Sequence, residues 1–438
     1  MADNASPITA RLGPIFLAPG VSRTNALTLF FGSILTSIVS AYLSFAQPYI
    51  LNEHLHLPQD IQGTVSGNLA FWTEVLLILM SGFIGAWSDR AGHRFVFVIG
   101  FLVIGVSYVL YPWATSVEQL YAVRVVYAIG AAAIGAMFVA VQADYPAERS
   151  RGAFTAVIGI LSIVGFAVLI AALAPLPRRL TAAGFNPVEA GRLAFAVVAV
   201  IALAGAALLR FGLRERTVAL ARKPAVLTQL RAGFAVAREN PRIGLSYAGA
   251  VVGRADLAIV TIFLSLWVTQ ASLSAGLSTV DALVQAGKLF GVIQVAALVF
   301  MPILGAVTDR IDRATGLALG TAVAAAGYLW TGSLSELTGI EAYMATALLG
   351  MGQAGVILTA TALMGSETPK DSMGAVSGVF SLFAAVGILL ATKSGGWLFD
   401  VWRPGAPFLV MGVANAVVLC LAIAVRLWAP SARNPTAV

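Results

Sequence analysis

A chain of 438 residues with 59% hydrophobic and only 11% charged side chains cannot clothe a water-soluble surface, since soluble domains carry about 25% charged residues. A net charge of +7 would fit a nucleic-acid partner, but the basic residues collect at the ends of apolar runs rather than in one patch. The composition argues for a lipid bilayer as the surrounding medium and against a nucleic-acid partner.

Taken in chain order, twelve apolar spans are expected, over residues 27–51, 62–86, 94–115, 118–143, 152–176, 193–213, 243–268, 281–307, 314–335, 340–364, 373–397 and 405–427. Most approach or exceed the roughly 20 residues that a helix needs to cross hydrocarbon. The first span is too long for a cleaved signal and lacks a small-residue cleavage site, so it is expected to stay as a helix. Of the 27 Lys and Arg residues, nineteen fall on the side holding both termini, four on the other side and four inside spans. Basic residues are retained inside during insertion. Both termini are therefore expected in the cytoplasm, in a multi-pass protein of the cytoplasmic (inner) membrane, with the basic excess near anionic lipid. Cys420 is the only cysteine, which excludes an intramolecular disulfide.

Two phrases occur twice. "GAWSDRAGHR" (Gly85 to Arg94) is echoed 220 residues later by "GAVTDRIDR" (Gly305 to Arg313). "ADYPAERSRGA" from Ala143 is echoed by "SETPKDSMGA" from Ser366, so that Asp144, Pro146 and Glu148 correspond to Glu367, Pro369 and Asp371 at an offset of 223. An offset near half the length predicts six spans plus six: a first bundle over 1–213, a cytoplasmic linker over 214–242 and a second bundle over 243–438. In the linker, Leu227, Leu230 and Phe234 recur at helical spacing among Arg and Gln. That spacing predicts an amphipathic helix on the cytoplasmic leaflet, a solvated linker helix being the alternative. Such repeats are common in secondary transporters, whose substrate site lies between them near the midplane.

The phrase at 85–94 resembles the signature between helices two and three of the major facilitator superfamily: Gly, three residues, Asp, Arg, one residue, Gly, then two basic positions. His93 stands at the first of those basic positions. The copy at 305–313 is similar to what the family carries between helices eight and nine, with Asp312 in place of the second Gly. "LYAVRVVYAIGAA" (Leu120 to Ala132) resembles the family's span-four pattern, with Tyr127 where the family has Gln. The Gly-Pro pair of drug–proton antiporters is absent from span five, which keeps Gly159 and Gly165. The resemblance implies an all-α integral membrane fold of twelve transmembrane helices, two six-helix bundles related by a pseudo-twofold axis, and a monomer is expected. It also implies a cytoplasmic gate of Gly85, Asp89, Arg90, Arg94, Asp144, Glu148, Asp309 and Arg310. In that gate Gly85 admits a neighbouring helix, Asp89 meets a helix N-terminus, and Arg90 and Arg94 pair with Asp144 and Glu148.

Six charged residues lie well within spans, away from their ends: Glu74, Arg124, Arg254, Asp256, Lys288 and Lys393. Each costs about 2.5–3.5 kcal/mol at a helix centre on insertion scales, so such residues face a cavity or a partner. By analogy with the family, whose spans one, four, seven and ten line a central cavity, Gln47, Arg124, Tyr127, Arg254, Asp256 and Gln353 are lining candidates. Glu74, Lys288 and Lys393 join them from flanking helices. Snorkelling to the interface is the alternative for the two lysines, and a structural ion pair for Glu74 and Asp256. Four bases against two acids predict an anionic or zwitterionic organic solute. A carboxylate in apolar surroundings can exchange protons near neutral pH and Arg cannot. Glu74 and Asp256 are thus assigned to proton coupling, and Gln47, Arg124, Tyr127, Arg254, Lys288, Gln353 and Lys393 to the solute. The expected function is proton-coupled secondary active transport by alternating access; the alternatives are drug or metabolite efflux by proton antiport, and passive facilitation. His54, His56 and His93 form no metal-ligand or nucleophile constellation, and no phosphate-binding loop appears. No enzyme activity, cofactor or metal is expected.

Overall fold

The computed structural model describes residues 10–215 and 226–429. A hairpin of β1 (Arg11–Leu12) and β2 (Ile15–Phe16) precedes a nearly all-helical chain. Its first part holds α1 (Arg23–Tyr49), α2 (Gln59–Ala91), α3 (His93–Leu110), α4 (Val117–Asp144), α5 (Arg151–Val168), the short α6 (Leu176–Ala182) and α7 (Pro187–Gly212). After α8 (Val226–Glu239) come α9 (Pro241–Ile259), α10 (Ser265–Ser274), α11 (Thr279–Thr308), α12 (Arg313–Ser333), α13 (Ile340–Glu367), α14 (Met373–Val401) and α15 (Ala406–Trp428). Each of the twelve expected spans coincides with helix. Three helices widen into a π turn: α1 at Ile50–His54, α5 at Leu169–Leu173, and α9 at Val260–Leu264, where it continues into α10. Periodicity in the sequence carries no sign of these turns.

Among the described residues, eleven spans are long and apolar enough to cross a membrane. The remaining expected span, 314–335 in α12, is less apolar because six Ala and four Gly fill the helix's 21 positions. Its small residues serve packing instead: in a bilayer helices associate by close van der Waals approach. A methyl group on Gly327 would lie within 2.7 Å of backbone atoms of Leu348 and Leu349 in α13. Backbone cannot move aside as a flexible side chain does. Replacing Gly327 by Val is therefore expected to destabilise the fold by about 1–3 kcal/mol, as overpacking does. Thermal unfolding in detergent checks this; an unchanged midpoint would contradict the close crossing.

Backbone proximity divides the described chain into two compact units, one of residues 10–44, 53–55 and 75–215, the other of 45–52, 56–74 and 226–429. The first half of α2 thus clusters with the second unit. Within that unit the linker helix α8 docks onto protein. Leu230 packs against the core of Ile243, Tyr247, Val376 and Val379, the Phe234 ring lies 6.0 Å from that of Phe383, and the Tyr247 hydroxyl donates to the Gly233 carbonyl at 3.1 Å. Two residues of the expected apolar stripe, Leu230 and Phe234, thus contact α9 and α14, and Phe234 stays 41% exposed. The side chain of Leu227, and residues 216–225 of the linker, lie outside the described residues.

Candidate functional site

In the first unit the polar centre is built on α4. Arg124 is 4% exposed, its guanidinium carbon 5.6 Å from the Tyr111 ring and 5.7 Å from the Tyr127 ring. These aromatic faces offer the cation a quadrupole where lipid would offer nothing. Tyr127, one turn on, points its hydroxyl at the Ser40 carbonyl of α1 at 2.7 Å. Tyr108 does the same from α3, donating to the Val39 carbonyl at 2.7 Å and accepting from the Leu43 amide at 3.0 Å. Tyr108 and Tyr127 therefore tie α3 and α4 to α1, while Tyr111 and Tyr127 flank the buried guanidinium.

In the second unit Asp256 is fully buried in α9. Asn415 of α15 donates its amide to both carboxyl oxygens at 3.0 Å and to the Met411 carbonyl at 3.0 Å. Tyr328 of α12, also fully buried, lies within electrostatic reach. Arg254, two residues earlier, is exposed and is the charge nearest in effect to the half-buried Glu74. The 100° step between successive helical residues separates the two by about 200°, so Arg254 and Asp256 serve different surroundings. Gln353 of α13 is 7% exposed, and its buried side-chain oxygen has no hydrogen-bond partner among the described residues. Gln47 donates to the Ser66 hydroxyl at 2.7 Å. Lys288 is exposed, whereas Gln285, one turn before it, is buried and bonded to the Leu337 carbonyl at 3.2 Å. Lys393, on α14, is exposed and donates to the Asn68 side-chain oxygen at 2.7 Å.

The charged loops at the other helix ends differ from expectation in their pairing. Gly85 has open space around it, so it makes no close helix approach. Gly92 does need to be glycine: it caps α3 with φ +89°, a conformation that other L-residues rarely adopt. Arg94 pairs with Glu215 at 2.7 Å, not with Asp144 or Glu148, and Asp144 lies 3.7 Å from the His93 ring. Asp89 and Arg90 close α2, with Arg90 exposed. Glu148 is exposed beside a loop strapped by the β hairpin, where the Phe16 amide donates to Ser150 at 3.0 Å and the Arg149 guanidinium sits 3.5 Å from the centre of the Phe16 ring.

In the second copy of the phrase the ionic work passes from Asp309 and Arg310 to Asp312. Among the described residues Asp309 pairs only with Arg313, across the turn at the start of α12, at 3.0 Å, and Arg310 is exposed. Asp312 occupies the cap position that Gly92 holds in the first copy, with φ −58°, and accepts from the Ala314 and Thr315 amides. Its other oxygen binds Arg242, 2% exposed at the start of α9, which also reaches Glu367 at 3.4 Å. Glu367 in turn accepts from Asn240 at 3.3 Å. Burial pushes the Asp312 carboxyl up, but the Arg242 hydrogen bond and charge, with the two amides, outweigh it and hold the group below the usual range.

Comparison with known proteins places this geometry in context. The family model described as Major Facilitator Superfamily matches residues 29–392. Magnetosome protein MamH of Paramagnetospirillum magneticum is 27% identical over 422 residues, covering 94% of each chain. Multidrug resistance protein 1 of Bacillus subtilis is 25% identical over 414 residues, covering 89% of this chain and 95% of that one. A crystal structure of a mutant of the nucleoside transporter NupG superposes with a TM-score of 0.74 at 12% identity, over 91% of this chain and 99% of that one.

Proposed function

Since the chain belongs to the Major Facilitator Superfamily and is a multi-pass membrane protein, we propose that it is a proton-coupled secondary active transporter. It moves a small organic anion or zwitterion by alternating access across the cytoplasmic membrane, as a monomer with both termini inside. The observation that carries this reading is Asp256: a carboxyl group sealed in the membrane interior with Asn415 as its hydrogen-bond partner and no ion pair among the described residues. An ionised carboxylate is too costly in such surroundings. A group of this kind takes up a proton when its surroundings dry and releases it when they wet, which is what coupling requires. Glu74, beside the charge of Arg254, is the second proton-exchanging group.

The solute is held by groups that stay charged or polar. Arg124 and Tyr127 serve in the first unit; Gln47, Arg254, Lys288, Gln353 and Lys393 serve in the second. Within the first unit the permanent charge of Arg124 favours an acidic group; within the second the unmet oxygen of Gln353 favours a donor. Asp89, Arg90, Arg94, Asp144, Glu148, Asp309 and Arg310 are assigned to the inner gate, without the close helix approach expected of Gly85, and Arg242, Asp312 and Glu367 join them as a clasp in the second unit. The second reading, efflux of a drug or metabolite, is favoured by the likeness to the multidrug resistance protein.

Reconstitution into liposomes with an imposed pH gradient separates the two. Organic anions are expected to accumulate against their gradient and lipophilic cations to be ignored. Carriage of cations with anions excluded would overturn the solute class and leave the efflux reading.

A further inference from the structure

The solute assignment uses only the charge of Lys393; the apolar face of α14 around it has no role there. On this face Leu390 is 62% exposed and Trp397 is 58% exposed, so the stripe looks outward from its own unit. Lys393 sits between them, eight residues before the end of α14 at Val401, about 12 Å along a helix rising 1.5 Å per residue. A lysine at that depth is expensive unless it meets a partner. Its partners here are the Asn68 side-chain oxygen at 2.7 Å and the Phe71 ring, 5.8 Å from the ammonium. Neither carries a charge.

The carboxylate on this crossing is engaged elsewhere. Asp400, two turns further on, accepts from the backbone amides of Gly63 and Thr64 at 2.8 and 2.6 Å. It thereby pins the start of α2 to the end of α14. Below it Gly67 lies against Gly396, bringing the backbones together. Where the helices diverge again, a crevice of about 490 Å³ opens, lined by Phe71, Leu389, Leu390 and Trp397 with Lys393 and Asn68 at its polar spot. That volume lies within the range of about 300–1,000 Å³ typical of small-molecule sites. The crevice is therefore a mostly apolar slot whose Thr64 and Ser394 hydroxyls are spent on backbone carbonyls, leaving one amide and one cation that has no counter-charge among the described residues.

We propose that this crevice binds an anionic single-chain amphiphile taken from the membrane. Its acidic head pairs with Lys393 and accepts from the Asn68 amide, and its tail lies along Phe71, Leu390 and Trp397. Charge complementarity selects the head, because a neutral lipid would leave the ammonium without a counter-ion. The apolar lining selects the tail, because a small hydrated anion gains nothing from those walls. This site is separate from the coupling assigned to Asp256 and stands whether or not the chain moves protons.

The test uses the full chain in phosphatidylcholine nanodiscs and a long-chain carboxylate brominated along its tail, read by quenching of tryptophan fluorescence. Saturable quenching is expected in the wild type and is expected to lose its saturable part in Trp397→Phe. Lys393→Gln is expected to weaken binding roughly tenfold or more, the scale of a charge-assisted hydrogen bond. The brominated alcohol of equal chain length needs no variant and is expected to bind comparably weakly. Equal saturation by alcohol and carboxylate, or an unchanged affinity in a monodisperse Lys393→Gln protein, would overturn the proposal. Competition by acetate at comparable concentration would overturn it too, by showing a small-anion site.

Discussion

Replacing Arg242 by Met is expected to lower the thermal midpoint of the detergent-solubilised protein by several degrees. Arg242 joins the beginning of α9 to the cap of α12 through Asp312 and to the end of α13 through Glu367. Its removal takes the cation from both carboxylates, and breaking a buried pair costs about 3–5 kcal/mol. Asp312 and Glu367 retain 23% and 14% side-chain exposure, so solvent screens part of the loss and the low end, about 3 kcal/mol, applies. The pH dependence has a definite sign. Because Arg242 and the backbone amides hold the Asp312 carboxyl below its usual range, its contribution is present above the unfolded value of about 3.9. It is lost as the pH falls through the lower folded value. The gap in stability between wild type and Arg242→Met should therefore narrow under acid. A gap that stays constant down to strongly acidic pH would show that Arg242 acts through packing alone.

Replacing Asp256 by Asn is expected to abolish acceleration of transport by a pH gradient while leaving a folded protein, since the amide fills the same volume and cannot exchange a proton. Asn415→Leu is expected to destabilise by about 1–3 kcal/mol, the cost of a buried polar group left without its partner. Changing both residues to Leu removes the orphan along with its partner. That double variant should recover much of the stability and still fail to couple, which separates the structural role of the Asp256–Asn415 contact from its chemical one. Recovery of pH-driven transport in the double variant would place proton exchange elsewhere.

The helices were legible because bilayer-spanning segments must be apolar for about 20 residues, and alternate turns between the runs are basic. Even α12, diluted by Gly and Ala, is bounded by Arg313 and Ser333. Other features depend on contacts between distant segments. Asn415 looks like one amide in an apolar run until folding brings it 159 positions back to Asp256. Arg242 reads as one more basic residue of the linker, and only the meeting of three helix ends makes it an ionic hub. A clue was present in Asp312, an acidic residue where the first copy has glycine; the substitution is possible because φ at that cap is negative in the second copy. Gly85 misled for the opposite reason. A glycine permits close approach without requiring it, and here the space beside it is open. The π turns stayed hidden because one extra residue in a turn barely disturbs an apolar pattern.

Proton movement driven by solute is the most direct measurement. With a pH indicator trapped in proteoliposomes and no imposed gradient, adding a transported anion should shift the internal pH in the wild type. In Asp256→Asn the same anion should still exchange across the membrane with no pH shift. A wild-type protein that carries its solute with the internal pH unmoved would contradict proton coupling and leave a passive carrier.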